Sequence, residues 1–189
     1  KQLGRIDFVI AGAAGNFLSA FNQLSANAFK TVIDIDLIGS YNTAKATFEE
    51  VRKTKGQYIF ISAGLHYTGT PFQTHVAAAK AGVDSLSNNL AIELGPLGIR
   101  SNIISPGPIG GTEGMERLVP DPEMLKETIK TVPLGKLGST QDIADATIFL
   151  FSPAAQYVTG TTMIVDGGHW RTSRSLNGIY PEIIIHSNS

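Results

Sequence analysis

The segment from Tyr58 to Asn89, YIFISAGLHYTGTPFQTHVAAAKAGVDSLSNN, restricts the fold more than any other part of the chain. Tyr58 to Ile61 is a short run of aromatic and β-branched residues, suited to a buried strand. Gly64, Gly69 and Pro71 then break the pattern into a loop. From Thr74, small and apolar residues recur at helical spacing. A strand followed by a long helix is half of a βαβ unit. Lys80 lies in that helix among Ala77, Ala78, Ala79, Ala81 and Gly82. Two readings of it stand. It points to solvent, or the small neighbours let the helix lie against another body while the ammonium reaches a ligand. The glycine-rich loop that follows the next strand favours the second.

The remaining segments extend the same alternation. Ile6 to Ile10 reads as a strand of the nearly all-apolar kind found in sheets covered on both faces. Ala11 to Gly15 is a turn of small residues, open to close approach by a ligand or a neighbouring strand. Ser25 is a helix N-cap candidate, and a helical pattern runs from Asn27 to Lys53. Asp34 and Asp36 lie inside it and point in different directions, so one is expected in solvent. Spacing alone leaves open whether Asp36 is an ordinary helix acid or a placed one.

Gly95 to Gly98 ends the Lys80 helix. Arg100 to Ile104 is a further strand, followed by Ser105 to Thr112, SPGPIGGT. In an open α/β sheet, ligands sit outside the carboxyl ends of the strands. Backbone N–H groups in such a loop can hold an amide or a phosphate. Glu113 to Lys130 reads as one or two short helices forming a lid. Ser139 and Asp142 form a capping box that opens a helix reaching about Phe151. Thr162 to Val165 is a last strand. A tail from His169 to Ser189 carries an Ile183-Ile184-Ile185 run suited to docking on the body or on another subunit. The order predicts an α/β fold of right-handed crossovers, with a parallel sheet covered by helices on both faces.

Composition excludes several functions. A net charge of −1 removes the electrostatic case for nucleic acid. With no cysteine there is no thiol nucleophile or thiolate metal site. No apolar run is long enough to span a membrane. His66 and His75 have no metal-ligand partner at a suitable spacing and are read as structural, so no metal site is expected.

Six segments, IDFVIAGAAGN, DIDLIGSYNTAKA, IFISA, the Lys80 helix, ELGPLGIRSNIISPGPI and GTTMIVDGG, together resemble the short-chain dehydrogenase/reductase family over nearly the whole chain. The resemblance implies a single Rossmann-like doubly wound domain over residues 1–189. Its Gly-rich pyrophosphate turn and first strands would precede Lys1, in a longer polypeptide. Three positions depart from the family pattern. The motif tyrosine, four residues before the lysine, is Val76; the serine after the preceding strand is Ala63; the asparagine of the long helix is Asp36. Without that tyrosine the usual alcohol–ketone chemistry is not expected. One branch lacks it as well: the 2,4-dienoyl-CoA reductases, in particular the peroxisomal type, which AAGNF, NAFKTVIDID, AAKAGVD, ELGPLGIR and PGPI-GTEG resemble.

That branch implies hydride transfer from NADPH to a conjugated dienoyl-CoA. The product is a trans-3-enoyl-CoA, in the β-oxidation of unsaturated fatty acids. Lys80 is then expected to hydrogen-bond the nicotinamide ribose. A carboxylate beside an ammonium stays ionised and is a poor direct acid. Asp36 is therefore expected to orient, with Lys80, a water that gives up the proton. Tyr67 is a back-up donor. Pro106, Gly107, Pro108, Ile109, Gly110, Gly111 and Thr112 are expected to wrap the nicotinamide and its phosphates. Phe17 and the Ser25-Ala26-Asn27 corner are expected to meet the acyl-CoA, and Arg117 to approach its phosphates. The family implies a homodimer or homotetramer paired through the two long helices. A peroxisomal location is also expected: the terminal Ser-Asn-Ser lacks only Lys-Leu of such an address. Competing expectations are an enoyl or carbonyl reductase using Tyr67, a non-catalytic truncated relative, and an acyl-CoA binding protein.

Overall fold

A computed structural model describes residues 4–172. The Ile183–Ile185 run, most of the tail and the C-terminal residues lie outside that range. The sheet has four parallel strands in the order β1-β2-β3-β4. They are β1 (Phe8–Ala11), β2 (Gln57–Ile61), β3 (Arg100–Pro106) and β4 (Thr162–Val165). Between β1 and β2 run α1 (Ala26–Ile33), a π-helical turn (Asp34–Ile38) and α2 (Gly39–Thr54). After β2 come α3 (Leu65–Thr68) and α4 (Thr74–Leu94); after β3 come α5 (Glu113–Leu118), α6 (Pro122–Lys130) and α7 (Thr140–Phe151).

Local chemistry accounts for most boundaries. Ser25 caps α1 by accepting from the Ala28 N–H at 3.1 Å. Ser139 and Asp142 form the reciprocal capping box of α7. The left-handed Lys55 (φ 52°) and then Gly56 end α2, and Gly56 sits where a Cβ would lie 2.4 Å from the Asp7 carbonyl oxygen. No helix among the described residues is long and apolar enough to cross a membrane.

Alternation along the strands builds a core on each face. Val9, Tyr58, Phe60 and Ile103 face Ala44 and Val51 of α2 and Val83 of α4. Ile59 and Ile104 face Leu150 of α7, with Met163 and Val165 packed alongside. Helices therefore cover both faces, as expected. The hand of the crossovers differs from expectation. All strand steps proceed in one direction, so crossovers of one hand would keep α2, α4 and α7 on one face. Since α7 lies on the other, the β3–β4 crossover has the hand opposite to the first two. The usual preference arises where a twisted strand feeds directly into its packing helix. Here the long connection, with α5, α6 and a bridge between Ile109 and Gly138, loosens that coupling.

The long helix also departs from its expected regularity. The π turn at DIDLI inserts an extra residue and rotates the helix face, a feature frequent at functional sites.

Candidate active site

The π turn sorts the two aspartates. Asp34 pairs with Lys30 on the exposed side, whereas Asp36 is wholly buried. Close packing brings α4 to it: a Cβ on Gly82 would lie 2.6 Å from Leu37 Cδ2, so glycine lets α4 approach the π turn. Lys80, one of the small-residue run, is buried as well. Its Nζ donates to the Ile61 carbonyl at 3.0 Å and lies 3.2 Å from Asp36 Oδ2. The backbone N–H of Gly15 donates to Asp36 Oδ1 at 2.7 Å, and Ser40 Oγ donates to the Asp36 carbonyl at 2.5 Å. Thus the ends of β1 and β2, the π turn and α4 converge on one ion pair. Asp36 Oδ2 makes no oriented hydrogen bond to protein despite its ion contact. An unspent carboxylate lone pair beside an ammonium can hold a water.

Ala63 and Val76 stand where hydroxyls would otherwise enter. Val76 packs with Val32 and Ala79, so that wall is apolar. Tyr67 turns elsewhere: its hydroxyl donates to Asp84 Oδ2 at 2.5 Å, which His66 Nε2 also contacts at 3.0 Å. Burial and then the Asp84 contact raise the Tyr67 phenol above its ordinary range. Its proton is held toward a carboxylate, which makes it a poor donor to substrate.

Pro106, expected in the loop, instead closes β3 against Val165, and in the Gly107–Thr112 loop that follows fewer N–H groups are free than the composition suggested. Gly107 N–H donates to the Val165 carbonyl at 3.0 Å and Gly110 N–H to that of Gly138 at 2.9 Å. A Cβ on Gly107 would lie 2.7 Å from Asp166 Cα, so this glycine serves close packing of β3 on β4. Thr112 Oγ1 donates to the Ile109 carbonyl and caps α5 through Met115 N–H. Those three are occupied within the protein, so the wrap expected around the nicotinamide and its phosphates would draw on the remaining groups of the loop. Among the described residues, the N–H groups of Ile109 and Gly111 have no such partner. Pro108 gives its carbonyl to Gly138 N–H.

Phe17 stacks on His75 with ring centroids 4.2 Å apart. Ser25 is occupied as a cap, with Ala26 and Asn27 opening α1 behind it. Arg117 forms an exposed pair with Glu113 at 2.5 Å; a phosphate would have to displace that carboxylate, at little cost for an exposed pair. No cluster of His, Cys, Asp or Glu with metal-holding geometry occurs among the described residues.

By sequence His75 reads as structural and Asp84 is passed over; both are buried. Their only advance signal was a polar residue at a position the helical pattern assigns to the interior.

Comparison with known proteins accords with this geometry. A family model described as Enoyl-(Acyl carrier protein) reductase matches residues 1–169. The chain belongs to the short-chain dehydrogenase/reductase family. It is 56% identical over 188 residues to the peroxisomal 2,4-dienoyl-CoA reductase SPS19, (3E)-enoyl-CoA-producing, of Saccharomyces cerevisiae, covering 99% of this chain and 64% of that protein. It is 46% identical over 180 residues to the Arabidopsis thaliana peroxisomal 2,4-dienoyl-CoA reductase, covering 90% of this chain and 60% of that one. The chain thus spans less than two thirds of the length of these curated relatives. A solved family structure from Agrobacterium tumefaciens with bound NADP superposes with a TM-score of 0.82 at 32% identity, covering 88% of this chain and 68% of that one.

Proposed function

We propose that this chain is the catalytic and substrate-side part of an NADPH-dependent 2,4-dienoyl-CoA reductase that produces trans-3-enoyl-CoA from unsaturated fatty acyl thioesters. The buried Lys80–Asp36 pair, beside Val76 and Ala63 in place of hydroxyls, carries this proposal. The site has a way to hold a proton-giving water and no phenol to serve an alcohol. The names of the yeast and plant relatives add support, and their (3E) product agrees with protonation next to the carbonyl.

The residues present fit the nicotinamide end of the cofactor. Two of the three Lys80 N–H groups face Ile61 O and Asp36, which leaves one for a ribose hydroxyl. Ser62 Oγ is buried without a partner, and the N–H groups of Ile109 and Gly111 remain open to an amide or phosphate. NADPH, the form suggested by the NADP-bound relative, supplies a hydride when bound.

The protein's task is then to accept charge and deliver a proton. Hydride addition at the distal end of the diene moves an electron pair to the thioester oxygen, giving a dienolate. Asp36, fixed by Gly15 N–H, orients a water shared with Lys80. That water would protonate the carbon next to the carbonyl, leaving the double bond at the 3-position, and the hydroxide so formed beside Lys80 would regain a proton from solvent. Lys80 stabilises the anions in this sequence by its charge. Phe17 and the Ser25–Asn27 corner border the acyl-CoA, with Arg117 near its phosphates. A peroxisomal setting follows from the relatives' names. Self-association as a homodimer or homotetramer through the two long helices is supported by exposed Ile38, Tyr41 and Ile92.

The test is NADPH oxidation by the full-length protein with a 2,4-dienoyl-CoA, a simple enoyl-CoA and a ketone in parallel. Activity on the dienoyl thioester alone is expected. Asp36→Asn keeps the acceptor for Gly15 N–H and should lower turnover at least about a hundredfold while NADPH still binds. Unchanged turnover would remove Asp36 from the mechanism, and preference for the ketone would replace the proposal with a carbonyl reductase.

A further inference from the structure

A dienolate needs a hydrogen-bond donor at its oxygen, and the loss of hydroxyls at positions 63 and 76 removes two. Lys80 is already shared between a carbonyl and Asp36. The residue beside Val76 is His75, whose side chain the mechanism above leaves unused. It is completely buried, and neither ring nitrogen has a partner among the described residues. A neutral imidazole carries one N–H donor and one acceptor. Burying both unpaired forfeits their hydration without return, so an unmet imidazole in a folded protein calls for a ligand.

One short segment links His75 to the ion pair. Gly15, whose N–H holds Asp36, is two residues from Phe17, whose ring stacks on His75. Two Cα steps span at most about 7.6 Å, so one short segment touches both. Phe17 covers one face of the imidazole and is itself 37% exposed. It forms the wall between His75 and solvent.

The backbone around His75 adds to the case. His75 lies in the first turn of α4, which runs for 21 residues, and its N-cap Gln73 makes no side-chain capping bond. The first N–H groups of a long helix thus remain uncapped by a side chain, with the positive end of the helix dipole behind them. Gln73 Oε1 and Asn16 Oδ1 are buried without partners in the same two segments. Uncapped amides, a desolvated imidazole and unpaired amide oxygens thus occur in the same two segments, beside an apolar wall.

We propose that His75 donates the hydrogen bond to the thioester oxygen of the acyl-CoA, with the start of α4 behind it, and so takes the place of the missing hydroxyls. The inference rests on the reductase proposal for its reaction, but the contact can be read without turnover. His75 makes no covalent bond and keeps its proton. It stabilises the oxygen while the electron pair resides there and releases it when the neighbouring carbon is protonated.

The test uses the full-length protein with two substitutions and one spectrum. His75→Leu fills the space and keeps an apolar contact to Phe17 without a donor. It should lower kcat about a hundredfold with KM changed far less, and its Tm should equal or exceed that of the wild type, because two unmet nitrogens disappear. His75→Gln restores a donor and should regain part of the loss. In the wild type, the His75 ring nitrogen resonances should shift on adding an enoyl-CoA thioester and stay in place with free CoA. Turnover of His75→Leu within twofold of wild type would overturn the proposal. So would a His75 spectrum unmoved by the thioester. A wild type that ignores dienoyl-CoA but whose His75 responds to enoyl-CoA would defeat the reductase proposal alone and leave the thioester contact standing.

Discussion

The two ends of the sheet treat buried polar groups in opposite ways. At the amino end, Arg100 opens β3 and spends its guanidinium on three acceptors: Val158 O at 2.8 Å, Leu150 O at 2.7 Å and Gln57 Oε1 at 2.5 Å. Burial lowers its pKa from the ordinary value. Asn102, two residues along, donates to Val158 O and accepts from Thr161 N–H. Gln57 completes the set through Phe151 O. At the carboxyl end and the start of α4, the buried side chains of Asn16, Asp36, Ser62, Gln73 and His75 each keep at least one atom without a partner. Both ends are dry and polar, but only one is satisfied. Polar groups that join strands to loops are paired by the protein itself. Those at the carboxyl end, where the proposed cofactor and substrate would sit, are left incomplete among the described residues, at a cost the fold carries.

Substitutions at the two ends should therefore diverge. The largest effect on stability is expected from Arg100→Met. It strips two backbone carbonyls and Gln57 of a donor, and about 3 kcal/mol or roughly 10 °C in Tm should be lost, with KM for the substrate unchanged. A Tm within a degree or two of wild type would mean that the amino end is not held by this hub. Asn102→Leu should cost about 2 kcal/mol, because Thr161 N–H and Val158 O both lose a partner inside the protein. Ser62→Ala, the matching deletion at the carboxyl end, removes no bond. Its Tm should hold or rise, whereas NADPH should bind more weakly by titration; a drop in Tm as large as that of Asn102→Leu would erase the distinction. The smallest effect is expected at the exposed start of α7. Ser139→Ala removes the α7 cap and should cost about 1 kcal/mol. Hydrogen bonds from Ser139 hold the Asp142 carboxyl below its ordinary pKa. A depressed folded pKa means that this contribution is present above the unfolded carboxylate value and is lost as pH falls through the folded one. The Tm difference between Ser139→Ala and wild type should accordingly shrink in acid.

Much of this molecule was legible along the chain. The Ser25 cap and the Ser139–Asp142 box rest on interactions within a few residues, and the start of the Lys80 helix at Thr74 and the strand Thr162–Val165 show in the local residue pattern. Such features are written in short windows. The π turn was not legible, because DIDLI has no local mark distinguishing it from regular helix. Its geometry is set by the packing of Leu37 against Gly82, far along the chain. Nor could the loop Pro106–Thr112 reveal that Gly107 and Gly110 N–H are spent on Val165 and Gly138. Those acceptors belong to segments that come beside it only when the sheet closes.

By itself, the sequence determined the main strands and helices, that the sheet is parallel, and that a lysine and an aspartate were available with valine in place of the motif tyrosine. Periodicity and residue type suffice for that, since burial of one face per element dominates the local choice. Only the tertiary structure decided that a π turn carries Asp36 into the interior, that α7 crosses on the opposite face, and that His75 is buried with no partner among the described residues. Each depends on contacts between residues distant in sequence, and the free energy of such contacts is set by the packing of whole elements rather than by any one of them.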